Sequence, residues 1–387
     1  MRFFLAVWLS LLFACGGQNP VVDGGSGGGG SSSTGGGGAA TGGGTATGGG
    51  TATGGGSVTG GGGGAVTGGG AGTGGGSVTG GGTGGGATGG GGGGVVVAPN
   101  GCVSAVSSGH HAFTCDSITY EVEIPAACTS GGCGIVFDVH GATMTAAAED
   151  KSTGLKTSAA ALGYVVVQPT APFVGLIHSW TPSTDDPKVW TFLQQIRTAL
   201  LIDPKRIHFT GFSQGGAMTW RMLCAHADVL ASVAPVAAAD GQSLGTVTPP
   251  FVLDCAFSGA AMPSRQVPVL QLHGTADALV PFSKGTQQRD AAIAAWSLGA
   301  PTTVTTNAKF VHTRYTSASG TVVEFLKHDY LAPTNLLYYL GGHCLPGGQD
   351  LPTSSVPSAT MYFSCSEPTG FSWGSMVMQF FVAHPKP

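Results

Sequence analysis

The run Arg206-Ile-His-Phe-Thr-Gly-Phe-Ser-Gln-Gly-Gly216 constrains this chain more than any other. A stretch of strand character leads into Gly211-Phe212-Ser213-Gln214-Gly215, and helical periodicity follows from Gly215 to Ala225. A strand that turns sharply into a helix brings two backbones together, and glycine tolerates that approach because it has no Cβ. Gly211 and Gly215 stand where the crowding falls, and the serine between them is pushed outward on the turn. The Gln214 N–H, at the helix start, carries part of the positive end of the helix dipole. A hydroxyl beside such a donor suits a nucleophile whose attack creates an oxyanion. In a Gly-rich chain the bare pentapeptide also arises by chance; the strand before it and the helix after it set this one apart.

The surrounding pattern supplies a sheet to carry that turn. Strands are expected at Ser117–Ile124, Gly134–His140, Tyr164–Gln168, Arg206–Phe212, Leu230–Ala237 and Val267–His273. A hairpin is expected from Phe310–Tyr315 and Thr321–Lys327, and a last inner strand at Leu336–Leu340. Helical spacing marks Ala146–Leu162, Asp185–Leu201, Gln287–Leu298 and Trp373–Ala383. Near-continuous apolar strands alternating with helices argue for an α/β class, a mostly parallel sheet covered on both faces.

All of this lies in residues 95–387, because the chain before it cannot build a core. Of its 70 glycines, 45 fall between Gly16 and Gly94, and Asp23 is the only charged residue there. No apolar face forms from repeats such as Thr-Gly-Gly-Gly-Thr-Ala, so ordering entropy is not recovered. Residues 15–94 therefore read as a disordered tether, whose random-coil span is about 50 Å. Residues 1–14 begin Met1-Arg2 and continue almost wholly apolar to Ala14, too short to span a membrane and suited to a secretory signal. Leu12-Phe13-Ala14-Cys15-Gly16 looks like a bacterial lipoprotein signal, with Cys15 the residue to be lipidated; the alternative is an ordinary signal peptide with an incidental cysteine. Gly16 after the cysteine is not an inner-membrane retention residue, so the expected location is the outer membrane.

Eight cysteines remain beyond Cys15, an even number in a chain read as exported, which points to disulfides. We pair sequential neighbours: Cys102–Cys115, Cys128–Cys133, Cys224–Cys255 and Cys344–Cys365. No CxxC pair occurs and the 11 histidines are scattered, so no metal site is expected. A net charge of −4 without any Lys/Arg cluster gives no nucleic-acid footprint.

Serine alone is a poor nucleophile and needs a base and a group to orient it. In folds that carry the Gly-x-Ser-x-Gly turn, the order along the chain is Ser, acid, His. Asp277 lies just past the strand ending at His273, and His343 follows Tyr339-Leu-Gly-Gly. Asp240 and Asp254 are rival acids that follow strands less cleanly. His328 is a rival base at the end of a strand that reads as peripheral, and His273 reads as structural. The loop His140-Gly141-Ala142-Thr143 follows the first inner strand, so the Ala142 N–H is the expected second oxyanion donor beside Gln214. Phe173, His178, Trp180 and Trp190 lie in or near a loop-rich span and are candidates for an acyl pocket; core packing is an equal reading of Trp190.

The segment Trp180–Ala237, with Asp203-Pro-Lys-Arg-Ile207, Gly211-Phe-Ser-Gln-Gly-Gly-Ala-Met218 and Ala234-Pro-Val, resembles the polyhydroxybutyrate depolymerase and feruloyl esterase family of α/β-hydrolases. His273-Gly-Thr-Ala-Asp277-Ala-Leu-Val-Pro281 and Gly342-His343-Cys-Leu-Pro-Gly347 match its later motifs, and the resemblance runs from about Thr114 to the C-terminus. It implies an α/β-hydrolase fold and a cofactor-free serine esterase whose Ser213, Asp277 and His343 form the triad. Two positions depart from the family. Leu345 stands where a Trp is common, and Ala142-Thr143-Met144 stands where Cys-Gly-Gly often follows His-Gly; both border the substrate in the family. The resemblance thus implies an ester partner, with small aromatic or short-chain esters, or acyl groups on polysaccharide, preferred. A polyester depolymerase is the alternative, weakened by the lack of any visible adsorption module. A surface lipoprotein that kept the fold only for binding is the competing class.

Overall fold

The structure is a computed structural model, and it describes residues 96–238, 263, 265–333, 339–348, 363–366 and 369–387. The leader 1–14, Cys15, the tether 15–94, the rival acids Asp240 and Asp254, and Cys255 lie outside the described residues.

In chain order the strands are β1 (Gly109–Cys115), β2 (Ile118–Ile124), β3 (Gly134–Val139), β4 (Tyr164–Thr170), β5 (Phe173–Val174), β6 (Ile177–His178), β7 (Ile207–Phe212), β8 (Ser232–Val236), β9 (Val269–Gly274), β10 (Thr302–Thr306), β11 (Phe310–Thr316) and β12 (Val322–His328). The helices are α1 (Ala146–Thr153), α2 (Leu155–Ala160), α3 (Pro182–Ala199), α4 (Gln214–His226), α5 (Phe282–Ala295) and α6 (Trp373–Ala383). Ten strands form one sheet in the order β1-β2-β4-β3-β7-β8-β9-β12-β11-β10. The six from β4 to β12 run parallel, and antiparallel pairs close both edges.

Side-chain alternation along β3 divides the core. Ile135, Phe137 and Val139 join one buried cluster with Val189 and Phe192 of α3, Trp220 and Leu223 of α4, and Ala292 of α5. Val136 joins another with Ala148, Leu155, Val377 and Phe381 from α1, α2 and α6. A sheet covered on both faces explains why its central strands read as continuous apolar runs.

From β3 the chain crosses to β4 on one side, and after α3 it returns to β7 on the other. The strand order reverses there, which opens a crevice at the carboxyl ends of β3 and β7, where open α/β sheets bind ligands.

Several elements differ from the sequence expectation. The helix expected over Ala146–Leu162 is two helices, because Gly154 adopts a left-handed φ of 61° and caps α1. β12 is an inner strand, paired parallel to β9, with His328 opposite Gly274. It holds the place expected of Leu336–Leu340, of which only Tyr339 and Leu340 are described, outside any strand. α5 starts five residues earlier than expected, at Phe282 behind Pro281. The edge strands β1 and β10 and the small β5–β6 hairpin were not expected. β1 and β10 carry exposed polar positions, which hide the two-residue period.

Three expected disulfides are present, Cys102–Cys115, Cys128–Cys133 and Cys344–Cys365. Cys224 is also disulfide-bonded.

Candidate active site

β7 ends at Phe212 and α4 begins at Gln214, so Ser213 alone makes the turn. Its backbone sits at φ 53° and ψ −113°. A residue with a Cβ is disfavoured there, and such strain persists only where the surroundings enforce it. The surroundings are the glycines. A Cβ on Gly211 would lie 2.6 Å from the Val139 carbonyl oxygen, and one on Gly215 would overlap that same oxygen. A Cβ on Gly216 would come 2.6 Å from the Val236 carbonyl oxygen. The turn is therefore wedged between β3 and β8.

β3 delivers the loop His140–Met144 to the same place. Gly141 lies against the serine, since a Cβ there would be 3.0 Å from the Ser213 Cβ. Thr143 N–H donates to the His178 carbonyl at 2.8 Å, and Met144 N–H to the Gly141 carbonyl at 3.2 Å. Those two amides are committed, and Ala142 N–H, the expected donor, lies between Gly141 and Thr143. Gln214 N–H is an N-terminal helix amide, which has no intrahelical partner. The Gln214 side chain has a separate task that the sequence did not reveal. Its Oε1 accepts from Trp180 N–H at 3.0 Å and from Ser179 Oγ at 3.2 Å, tying the serine turn to the chain before α3.

The acid and the base come from loops that lie backbone against backbone. Asp277 bridges to Gly341, Gly342 N–H donates to the Ala276 carbonyl at 2.8 Å, and Ala278 N–H donates to the Leu340 carbonyl at 3.2 Å. Glycine is needed on both sides. Gly341 has φ 58°, and a Cβ on Gly274 would overlap the Gly342 carbonyl. This contact brings His343 Nδ1 to 2.8 Å from Asp277 Oδ2. The other carboxylate oxygen accepts from Leu279 N–H at 2.9 Å and Val280 N–H at 2.8 Å. Burial pushes the Asp277 carboxyl up, but the His343 charge and hydrogen bond, His273 and the Val280 N–H outweigh it and hold the pKa below the usual value.

Because a carboxylate only accepts, Nδ1 carries the imidazole proton and Nε2 is the acceptor. Nε2 is buried and, among the described residues, has no hydrogen-bond partner. The ring packs 4.7 Å from that of Phe212, the residue before Ser213, and 5.7 Å from that of Phe363. Phe363 was missed from sequence; its only signal is its place two residues before Cys365. Two other buried histidines lie around the same acid, His273 with its Nε2 3.5 Å from Asp277 Oδ2. His273 Nε2 donates to the Val280 carbonyl at 2.8 Å, and burial first, then His343, drives its pKa down. His328 is also buried, and desolvation lowers it to about 4.

The expected pocket residues divide. Trp180 is 4% exposed and its indole N–H donates to the His140 carbonyl at 2.9 Å, so it braces the loop that follows β3. Leu345 does not border a cleft. It is 0% exposed, held in the core beside Cys344 by an N–H bond to the Phe363 carbonyl. Trp190 stacks on His226 between α3 and α4. His178 is half-buried, and its Nδ1 donates to the Ala171 carbonyl at 2.6 Å. Among the described residues, no group of three or more His, Cys, Asp or Glu is placed to hold a metal ion.

The family model described as Phospholipase/Carboxylesterase matches residues 188–328, which include Ser213 and Asp277. Feruloyl esterase B of Piromyces equi is 33% identical over 97 residues, 25% of this chain and 16% of that protein. A putative esterase of Nocardia uniformis subsp. tsuyamanensis is 28% identical over 155 residues, 37% of this chain and 40% of that protein. The chain thus spans well under half the length of these curated relatives. Among solved structures, an acetyl xylan esterase from Aspergillus awamori superposes with a TM-score of 0.45 at 14% identity, covering 57% of this chain and 93% of that one. In its matched segment, which carries the serine turn on a mostly parallel sheet, the chain is similar to esterase-type α/β-hydrolases.

Proposed function

We propose that this protein hydrolyses carboxylic esters through an acyl-enzyme on Ser213. One observation carries the reading: Asp277 fixes His343 by Nδ1 and leaves Nε2 unpartnered, with the ring packed on the residue before Ser213. Nε2 takes the Ser213 proton as Oγ bonds to the ester carbonyl carbon. The tetrahedral oxyanion is held by the Gln214 and Ala142 N–H groups, and loss of one such donor typically costs about 10²–10³ in rate. Collapse breaks the bond to the alcohol oxygen, which leaves with the proton from Nε2. Water then attacks the acyl-enzyme by the same route, releasing the acid and restoring Ser213.

Small aromatic or short-chain esters, including acyl groups on polysaccharide, are the substrates we favour. Relatives named feruloyl esterase and acetylxylan esterase/xylanase support that class. We also propose that a lipid on Cys15 anchors the protein at the outer membrane, with 15–94 as its tether. A Cys15→Ala protein that still fractionates with membranes refutes the anchor.

The catalytic test uses a fluorophosphonate probe and p-nitrophenyl acetate. Wild type is expected to label at one site and turn over; Ser213→Ala is expected to lose the label and about 10⁶ in kcat. Asp277→Asn is expected to lose about 10⁴. A folded Ser213→Ala protein that keeps substantial turnover overturns the assignment. A wild-type protein that neither labels nor turns over marks a binder rather than an enzyme.

A further inference from the structure

The β5–β6 hairpin, whose root is bonded to the segments beside Ser213, presents apolar side chains to water. Phe173 is 64% exposed, Val174 46% and Leu176 79%, three of the nine exposed large apolar residues among those described. Clustering of this kind marks a contact surface, whereas isolated exposed apolar residues need no explanation. The hairpin has only two residues in each strand and turns at Gly175, where φ is 65°. So short a ribbon is marginal by itself, and its order comes from its root. The Phe173 ring lies 3.9 Å from that of His178, whose Nδ1 is fixed on the Ala171 carbonyl.

The root is bonded to both arms of the oxyanion site. The His178 carbonyl accepts from Thr143 N–H, two residues beyond the Gly141 that touches Ser213. The next two residues, Ser179 and Trp180, are held by the Gln214 side chain, next to Ser213 on the other side. At about 3.3 Å per residue, the tip at Gly175–Leu176 stands roughly 7–10 Å beyond the Thr143–His178 bond. An acetyl group ends one bond from the ester carbonyl carbon and falls short of that distance. A cinnamoyl or octanoyl group extends across many bonds and is long enough to span it.

From this geometry we propose that the β5–β6 hairpin is an acyl-recognition flap, with Phe173 and Leu176 gripping the aromatic or medium-chain acyl group of the ester. The inference rests on the ester-hydrolase reading and narrows its substrate class, because it favours aromatic and longer acyl groups over the acetyl esters that class includes. The hairpin also joins recognition to chemistry, since its root fixes Thr143 and thereby the loop that presents the Ala142 N–H.

The test varies the acyl group at constant leaving group, comparing kcat/KM for p-nitrophenyl octanoate and acetate. Phe173→Ser with Leu176→Ser is expected to lower the octanoate-to-acetate ratio at least tenfold, the scale of one lost apolar contact. Leu176→Ser alone, at the most exposed of the three positions, keeps the test open should the double variant fail to fold, with a several-fold drop expected. Leu176→Met is expected to restore the ratio. Val304→Ser, an exposed apolar site on the edge strand β10, is the control that leaves it unchanged. A ratio within twofold of wild type in a folded double variant overturns the flap. Absence of fluorophosphonate labelling and of all turnover in wild type defeats the hydrolase reading instead.

Discussion

Replacing Ser213 by Gly, with Ser213→Ala as the reference, isolates the strain in the serine turn. Both variants lack the hydroxyl, so both are expected to show only background ester hydrolysis. They differ in the Cβ. At φ 53° and ψ −113° the serine lies far from the left-handed basin, where ψ is near +47°. Holding a residue with a Cβ in such a region costs roughly 1–3 kcal/mol. Alanine keeps that cost and glycine removes it. Glycine also loosens the unfolded chain, which opposes folding by about 0.4–1 kcal/mol. The difference leaves Ser213→Gly more stable than Ser213→Ala by about 0.5–2 kcal/mol. For a domain of this size each kcal/mol moves Tm by about 2–4 °C, so a rise of a few degrees is expected. Urea denaturation of the two purified variants, with scanning calorimetry alongside, reads it directly. A glycine variant equal to or less stable than the alanine one would show that the turn stores no strain.

Gly215→Ala is expected to destabilise by about 3 kcal/mol or more, because the new Cβ meets the Val139 backbone, which has no rotamer to escape through; an unfolding curve that matches wild type rejects this. Cys344→Ser with Cys365→Ser opens a bond across 21 residues at a Cα separation of 5.1 Å. We expect about 3 kcal/mol of lost stability, together with reduced kcat at temperatures where the protein stays folded, since His343 adjoins Cys344; unchanged kcat there excludes the coupling. Asp138 tests a pH dependence. Burial raises its carboxyl to about 6, against hydrogen bonds from Gln168 and Thr153 that lower it. A raised folded-state value means the native state binds more protons between about pH 4 and 6, so this group's contribution to stability falls as pH rises through that window. Buried Glu149, raised by desolvation and by Asp138 beside it, gives a dependence of the same sign, so Asp138→Asn is expected to weaken the fall in stability between pH 4 and pH 7. Parallel unfolding curves for variant and wild type at pH 4 and pH 7 contradict this.

By itself the sequence determined the alternation of strands and helices, the serine turn and three of the disulfides. Each of these is written locally. Apolar runs report strands buried on both faces, Gly211 and Gly215 report a close approach, and Cys128 and Cys133 stand five residues apart. Boundaries slipped where a local rule had a rival, as at Gly154, whose left-handed φ ends one helix inside a continuous helical pattern. Tertiary structure alone decided what meets what. Asp277 and His343 are 66 residues apart, and only the facing glycines at 274 and 341–342 let their loops touch. β12 took the inner place expected of a later segment because pairing is set by neighbours across the sheet, which no local pattern records. Trp180 and Leu345 read as pocket residues from their positions, yet their burial depends on His140 and Phe363, far away in the chain. The β5–β6 hairpin shows the same limit. Phe173 reads as a pocket candidate from its place in a loop-rich span, while its exposure beside Val174 and Leu176 on a short two-stranded ribbon is visible only in the folded chain.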